Sequence, residues 1–174
     1  MKKVCMLLCL ILLALCNTVF AYDDNWIDAP IVKGVSCSMP LMEVVNKLGG
    51  EQAIIAVDSP GTYQVASNLY MAPGFALKVS NILGTDKIEK KQNCGFIIKN
   101  PDIRLDNYNV GIGDSIDEIS LNLGRRGEYR QYSDMSKYIY RFDYIHPFYN
   151  RRKTGIITFW LDRNNVCNKI DIFR

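Results

Sequence analysis

The chain has 174 residues, 48% of them hydrophobic and 22% charged, with a formal net charge of +3. One apolar run lies at the extreme N-terminus and none comparable follows, which excludes a polytopic membrane protein, a charged disordered tail and a low-complexity chain. The length suits one compact domain, or two small ones.

Residues 1–21 read as a secretory signal peptide. Lys2 and Lys3 supply the basic start. The apolar stretch at 4–16 has 13 residues, short of the ~20 that cross a bilayer as a helix. Val19, Phe20 and Ala21 form the cleavage region, so the mature chain is expected to begin at Tyr22. An uncleaved anchor is the weaker alternative, because Asp23 and Asp24 follow at once. A lipid tether on Cys16 is the other, but Leu15 stands where such a site normally has Gly, Ala or Ser. The expected location is thus periplasmic or extracellular, with no membrane span in the mature chain. Without the leader, 19 basic and 18 acidic residues remain. So small an excess gives no electrostatic footprint for nucleic acid.

Two segments then repeat one pattern. VSCSMPLMEVVNKLGG (35–50) and VGIGDSIDEISLNLGRR (110–126) align at a constant offset of 75, matching Val35 with Val110, Leu41 with Ile116, Glu43 with Glu118 and Gly49 with Gly124. Each reads as a short helix. In the second, Asp114 or Ser115 caps the start, Ile116, Ile119 and Leu123 share a face, and Gly124 ends it. In the first, Ser38 is the expected cap, with Pro40 in the first turn and Gly49 as the stop. Three extended segments follow the second helix, at 138–145, 154–161 and 166–173. Those after the first are less regular, at 62–70, 75–79 and 87–92, with 95–99 leading into the second copy.

The run V-G-x-G-D-S-x-x-E-I-x-x-x-L-G at 110–124, with a turn-linked strand pair behind it, resembles the SmpA/OmlA (BamE-like) domain. Two such units in tandem resemble the β-lactamase-inhibitor-protein architecture. That resemblance implies a non-catalytic protein-binding or envelope-assembly module and carries over no site residue. The expected fold class is α+β: two tandem copies, at 22–100 and 101–174, of a short helix plus an antiparallel three- to four-stranded sheet.

Little chemistry stands out. Cys37, Cys94 and Cys167 remain after the leader. A Cys37–Cys94 disulfide would close the first half on itself; another pairing or three separate thiols are the alternatives. His146 is the sole histidine and precedes Pro147, as in a turn. Cys37 before a helix start, with His146 as base, is the one hydrolase arrangement on offer. No metal site or cofactor is expected. Residues 129–160 interleave aromatic and basic side chains. Tyr138, Tyr140, Phe142 and Tyr144 alternate as a core face would. The binding candidates are therefore those on expected loops: Tyr129, Tyr132, Phe148, Tyr149, Arg151 and Arg152. The functional expectation is an exported, non-catalytic module that binds a protein or cell-envelope component. The alternatives are a cysteine hydrolase and a lipid-tethered structural component.

Overall fold

A computed structural model describes residues 25–50, 55–57, 66–72, 74–81, 91–147 and 149–174. The expected leader, the Ala21/Tyr22 cleavage point and Phe148 lie outside the described residues. The first half carries β1 (Trp26–Ile27), β2 (Ile31–Val32), β3 (Val35–Ser36), α1 (Leu41–Lys47), β4 (Ile55–Val57), β5 (Ala66–Ala72), β6 (Phe75–Asn81) and β7 (Lys91–Ile98). The second carries β8 (Arg104–Leu105), β9 (Val110–Gly111), α2 (Ile116–Leu123), β10 (Glu128–Gln131), β11 (Ser136–His146), β12 (Arg151–Leu161) and β13 (Cys167–Phe173).

Local chemistry explains the helices. Ser115 Oγ accepts from the Glu118 amide at 3.3 Å while Glu118 Oε2 accepts from the Ser115 amide at 2.8 Å, a reciprocal capping box. Those bonds also hold the Glu118 carboxyl below its ordinary range. Gly124, at φ 67°, closes α2 in the left-handed conformation. Asp114 is not the cap; its carboxylate takes Arg104 Nη2 at 2.7 Å and the Gly111 amide at 2.9 Å. Nor does Ser38 cap α1, which starts from Pro40 without any side-chain bond.

Nine of the described strands form one sheet in the order β1-β11-β12-β13-β7-β6-β5-β4, with β10 pairing β11, while β2 pairs β3 and β8 pairs β9 as separate ribbons. All neighbours are antiparallel except β1, which runs parallel to β11. Period-two alternation sends Tyr138, Tyr140, Phe142 and Tyr144 of β11 to the helix side. There they join Ile119 and Leu123 of α2, Leu41, Val44 and Val45 of α1, and Phe75, Phe96, Phe159 and Ile170 in one core. Tyr138 and Tyr140 meet edge to face at 5.1 Å, and Tyr138 shares a 2.8 Å hydrogen bond with Ser120 of α2.

The expected α+β class, two helix-plus-sheet copies, is overturned. Strand dominates, and the two helices among the described residues have 7 and 8 residues. Leu41 and Ile116 do open helices 75 positions apart, and each helix follows a two-residue hairpin. But the two sets of strands fuse. Strand β7, last of the first half, pairs with β13, last of the second, through Ile98↔Ile170, Ile97↔Asp171, Phe96↔Ile172 and Gly95↔Phe173. Two exposed edges are thereby satisfied by each other, which a local reading of helix and strand signals does not anticipate. Residues 87–90 of the segment expected at 87–92 lie outside the described residues; its last two residues join the segment expected at 95–99, since Lys91–Ile98 is a single strand. Its alternation is broken by a register shift opposite Lys78/Val79 and by Gly95 at φ 139°. A Cβ at Gly95 would run into the Ile172 carbonyl, so only glycine lets the two halves approach. Among the described residues no helix is long and apolar enough to cross a membrane.

Candidate functional site

The side chains that point away from the helices are the alternate members of the same strands. One cross-strand row reads Lys137, Trp160, Lys169 on β11, β12 and β13. The next reads Ile139, Thr158, Asp171, Ile97, Ala76, and the third Arg141, Ile156, Phe173, Gly95, Lys78. This outer face is unusually apolar for a side on which, among the described residues, no helix packs. Ile156 is 42% and Phe173 45% exposed, Ile139 is buried, and Trp160 and Ile97 are half-buried. At one end Tyr132, Met135, Lys137 and Trp160, with Ser133 and Asp134, line a hollow of about 260 Å³.

Charge is organised around the rings. Lys137 Nζ lies 4.2 Å from the Trp160 ring centre and 4.9 Å from that of Tyr132. Lys169 Nζ lies 4.7 Å from the Trp160 ring, and Lys78 Nζ is 3.2 Å from that of Phe173. Asp171 is buried at the centre. Its Oδ2 accepts from Trp160 Nε1 at 2.8 Å and from Lys169 Nζ at 2.8 Å, and Lys78 Nζ stands 3.8 Å from Oδ1. Oδ1 accepts no hydrogen bond among the described residues. Burial pulls the Lys78 ammonium below its ordinary range, Asp171 opposes that, and Lys169 adds to it.

The residues expected to form one binding loop are not brought together. Tyr129 sits on β10, where its hydroxyl meets Ser136 Oγ at 2.8 Å and Asn165 Oδ1 at 3.2 Å. Tyr132 follows β10 and lines the hollow. Tyr149, Arg151 and Arg152 lie at the other end of the β11–β12 hairpin, about 33 Å away at ~3.3 Å per residue. There the Tyr149 ring rests 4.7 Å from that of His146, and Arg152 Nε is 3.5 Å from Asp143. Tyr132 lines the outer face, and Arg152 shares its phase on β12 with Ile156 and Trp160 but lies at the far end; Tyr129, Tyr149 and Arg151 do not belong to it. Met135, Lys137, Trp160, Lys169, Asp171, Phe173, Ile156 and Lys78 were missed by the sequence reading. Their signal was the second phase of the very alternations that marked the core.

Cys37, Cys94 and Cys167 stand as thiols, and Cys94 lies close enough to Cys37 to act on its titration. Arg174 links the backbones of Cys94 and Cys37: its amide donates to the Cys94 carbonyl at 3.0 Å and its guanidinium to the Cys37 carbonyl at 2.9 Å. Cys37 is fully buried, and burial pushes its thiol up to about 12, against the lowering influence of the Arg174 charge. Such a thiol stays protonated at neutral pH and is no nucleophile. His146 is pushed below its ordinary value by burial and by the charges of Arg174 and Lys153. Among the described residues no group of three or more His, Cys, Asp or Glu side chains is placed to hold a metal ion.

A second concavity, a cleft of about 670 Å³, runs between Trp26, Ile27 and Asp28 of the first half and Tyr108, Leu123, Arg125 and Asp143 of the second. Its size suits a small molecule. Its charged groups are solvent-facing and of both signs, however, with Asp28 and Arg125 exposed and Asp143 taken by Arg152. The outer sheet face is the stronger candidate. The chain matches no protein-family model, no curated protein and no solved structure. The likeness of residues 110–124 to the SmpA/OmlA domain rests on those residues alone.

Proposed function

We propose that the chain is an exported, non-catalytic binding module that recognises a protein or cell-envelope component through its outer sheet face. The observation that carries this reading is the exposed apolar set of Ile156, Phe173, Tyr132 and Met135 around half-buried Trp160, on a face that neither helix covers. Trp, Tyr and Met are the side chains enriched at interface centres. Sealed, protonated Cys37 gives the hydrolase alternative no support. Export rests on the leader sequence, and the same face serves a released chain or one tethered at Cys16.

The test replaces Ile156 and Phe173 together with serine. Each side chain is more than half buried and Phe173 covers Lys78 Nζ at 3.2 Å, so each replacement should cost about 1–2 kcal/mol, and circular dichroism checks that the double variant still folds. A photo-crosslinker at position 158, in the row next to theirs, should give a discrete adduct in envelope extract that the double variant loses. An adduct of undiminished yield would remove this face from consideration, as would crosslinking confined to Tyr149 and Arg151.

A further inference from the structure

Granted that this face binds a protein, its chemistry specifies the partner. We infer that the occupant presents a carboxylate flanked by apolar side chains, an acidic-hydrophobic protein segment, and that the carboxylate seats over Trp160 between Lys137 and Lys169.

Three lysines, Lys78, Lys137 and Lys169, lie on this face beside Arg130 and Arg141, which share Glu128. Asp171 is shared by Lys169 at 2.8 Å and Lys78 at 3.8 Å, leaving a local excess of positive charge. The other acids nearby are taken. Glu128 pairs with Arg130 at 2.6 Å and Arg141 at 3.4 Å, and Asp134, on the rim of the hollow, pairs with Arg163 at 2.9 Å. Among the described residues Lys137 Nζ is held by rings alone. It faces Lys169 across Trp160, one strand to either side. Two ammonium groups flanking one indole, with one of them lacking a counter-ion, form a receptor for an anion. The neighbours decide which anion. Tyr132 and Met135 on one side and Ile156 and Phe173 on the other offer exposed apolar area, and Arg130, which extends the Lys137–Trp160–Lys169 row onto β10, is already neutralised by Glu128 and so adds no open phosphate contact. A protein chain supplies apolar and acidic side chains at the two-residue spacing of these rows; a polyanion does not.

The probes are three capped pentapeptides, Leu-Ser-Glu-Ser-Phe, which puts Leu, Glu and Phe on one face of an extended segment, its glutamine counterpart and its lysine counterpart, together with oligothymidylate. Binding is read by NMR at the Trp160 indole N–H and the Ile156 methyls. The glutamate peptide should bind at least tenfold more tightly than the glutamine peptide and should move both signals. Lys137→Met keeps the side-chain stem on Trp160 but removes the charge, and should erase most of that preference. Equal binding of the glutamate and glutamine peptides, or a preference that survives in Lys137→Met, would overturn the acidic partner while leaving the face a docking surface. Tighter binding of oligothymidylate would reassign the site to nucleic acid. No response from any probe at either signal would take down the docking reading as well.

Discussion

Asp171→Asn isolates the charge at the centre of the outer face. Asparagine is nearly isosteric and keeps an acceptor for Trp160 Nε1, now 2.8 Å from the carboxylate. What disappears is the negative charge facing Lys169 at 2.8 Å and Lys78 at 3.8 Å. Removing one partner of a fully buried ion pair costs about 3–5 kcal/mol, because the other charge is left stranded. Here Asp171 and Lys78 are enclosed, at 8% and 13% side-chain exposure, but Lys169 is 29% exposed and regains water. A loss of about 2–3 kcal/mol is therefore expected, in line with ~1.5–3 kcal/mol for a hydrogen bond to a charged group. For a domain of this size that lowers Tm by about 5–10 °C in thermal unfolding followed by circular dichroism. High salt should not reproduce the loss, since an enclosed pair is poorly screened. The same variant has one negative charge fewer on the face, so it should bind the acidic pentapeptide more tightly while being less stable. A Tm within about 1 °C of the parent would mean that the carboxylate is solvated, and the argument about this face would fail at its first step.

Two further outcomes follow from the packing and the thiols. Gly95→Ala should unfold the protein or cost more than about 3 kcal/mol, because both its φ of 139° and the Ile172 carbonyl oppose a Cβ. Gly34→Ala, at φ 72° with nothing within 4 Å, should cost only the ~1 kcal/mol of a left-handed residue. Equal urea midpoints for the two variants would deny that β7 and β13 meet as described. Cys37 and Cys167, both raised to about 12 by burial, should resist a thiol reagent at pH 8 and react only once urea opens the fold. Prompt labelling of Cys37 in native protein would restore the hydrolase alternative.

Much of the second half was legible because its signals are local. The Ser115/Glu118 box, the Gly124 stop and the run of Tyr138, Tyr140, Phe142 and Tyr144 each declare themselves within a few residues. The strand Glu128–Gln131 was not read, since its outward residues are all polar or exposed and it has no apolar phase. Strand β7 was cut in two for a related reason. Gly95 interrupts the period, and its purpose is a contact with a residue far along the chain. The fusion of the two halves across β7 and β13 is a long-range pairing with no local signature, and missing it produced the wrong fold class.

The site was hidden by the same logic that revealed the core. In a sheet covered on one side, one phase of each strand is expected to be apolar and the other polar, and the eye discards the second. Here the second phase is amphipathic too: Ile139, Ile156, Trp160, Ile97 and Phe173 alternate with the core residues, while Lys137, Lys169 and Lys78 punctuate them. Arg151 and Arg152, expected on a loop, open β12, because the β11–β12 hairpin extends to His146↔Arg151 beyond the alternating run of aromatics. A strand whose two phases are both apolar demands cover on both faces. In β12 one phase, Ile157, Phe159 and Leu161, is buried against the helices, whereas Ile156 in the other remains 42% exposed. That imbalance between what the sequence prepares for burial and what the fold buries is the physical argument for a partner, and it is local enough to be read in any chain with such a strand.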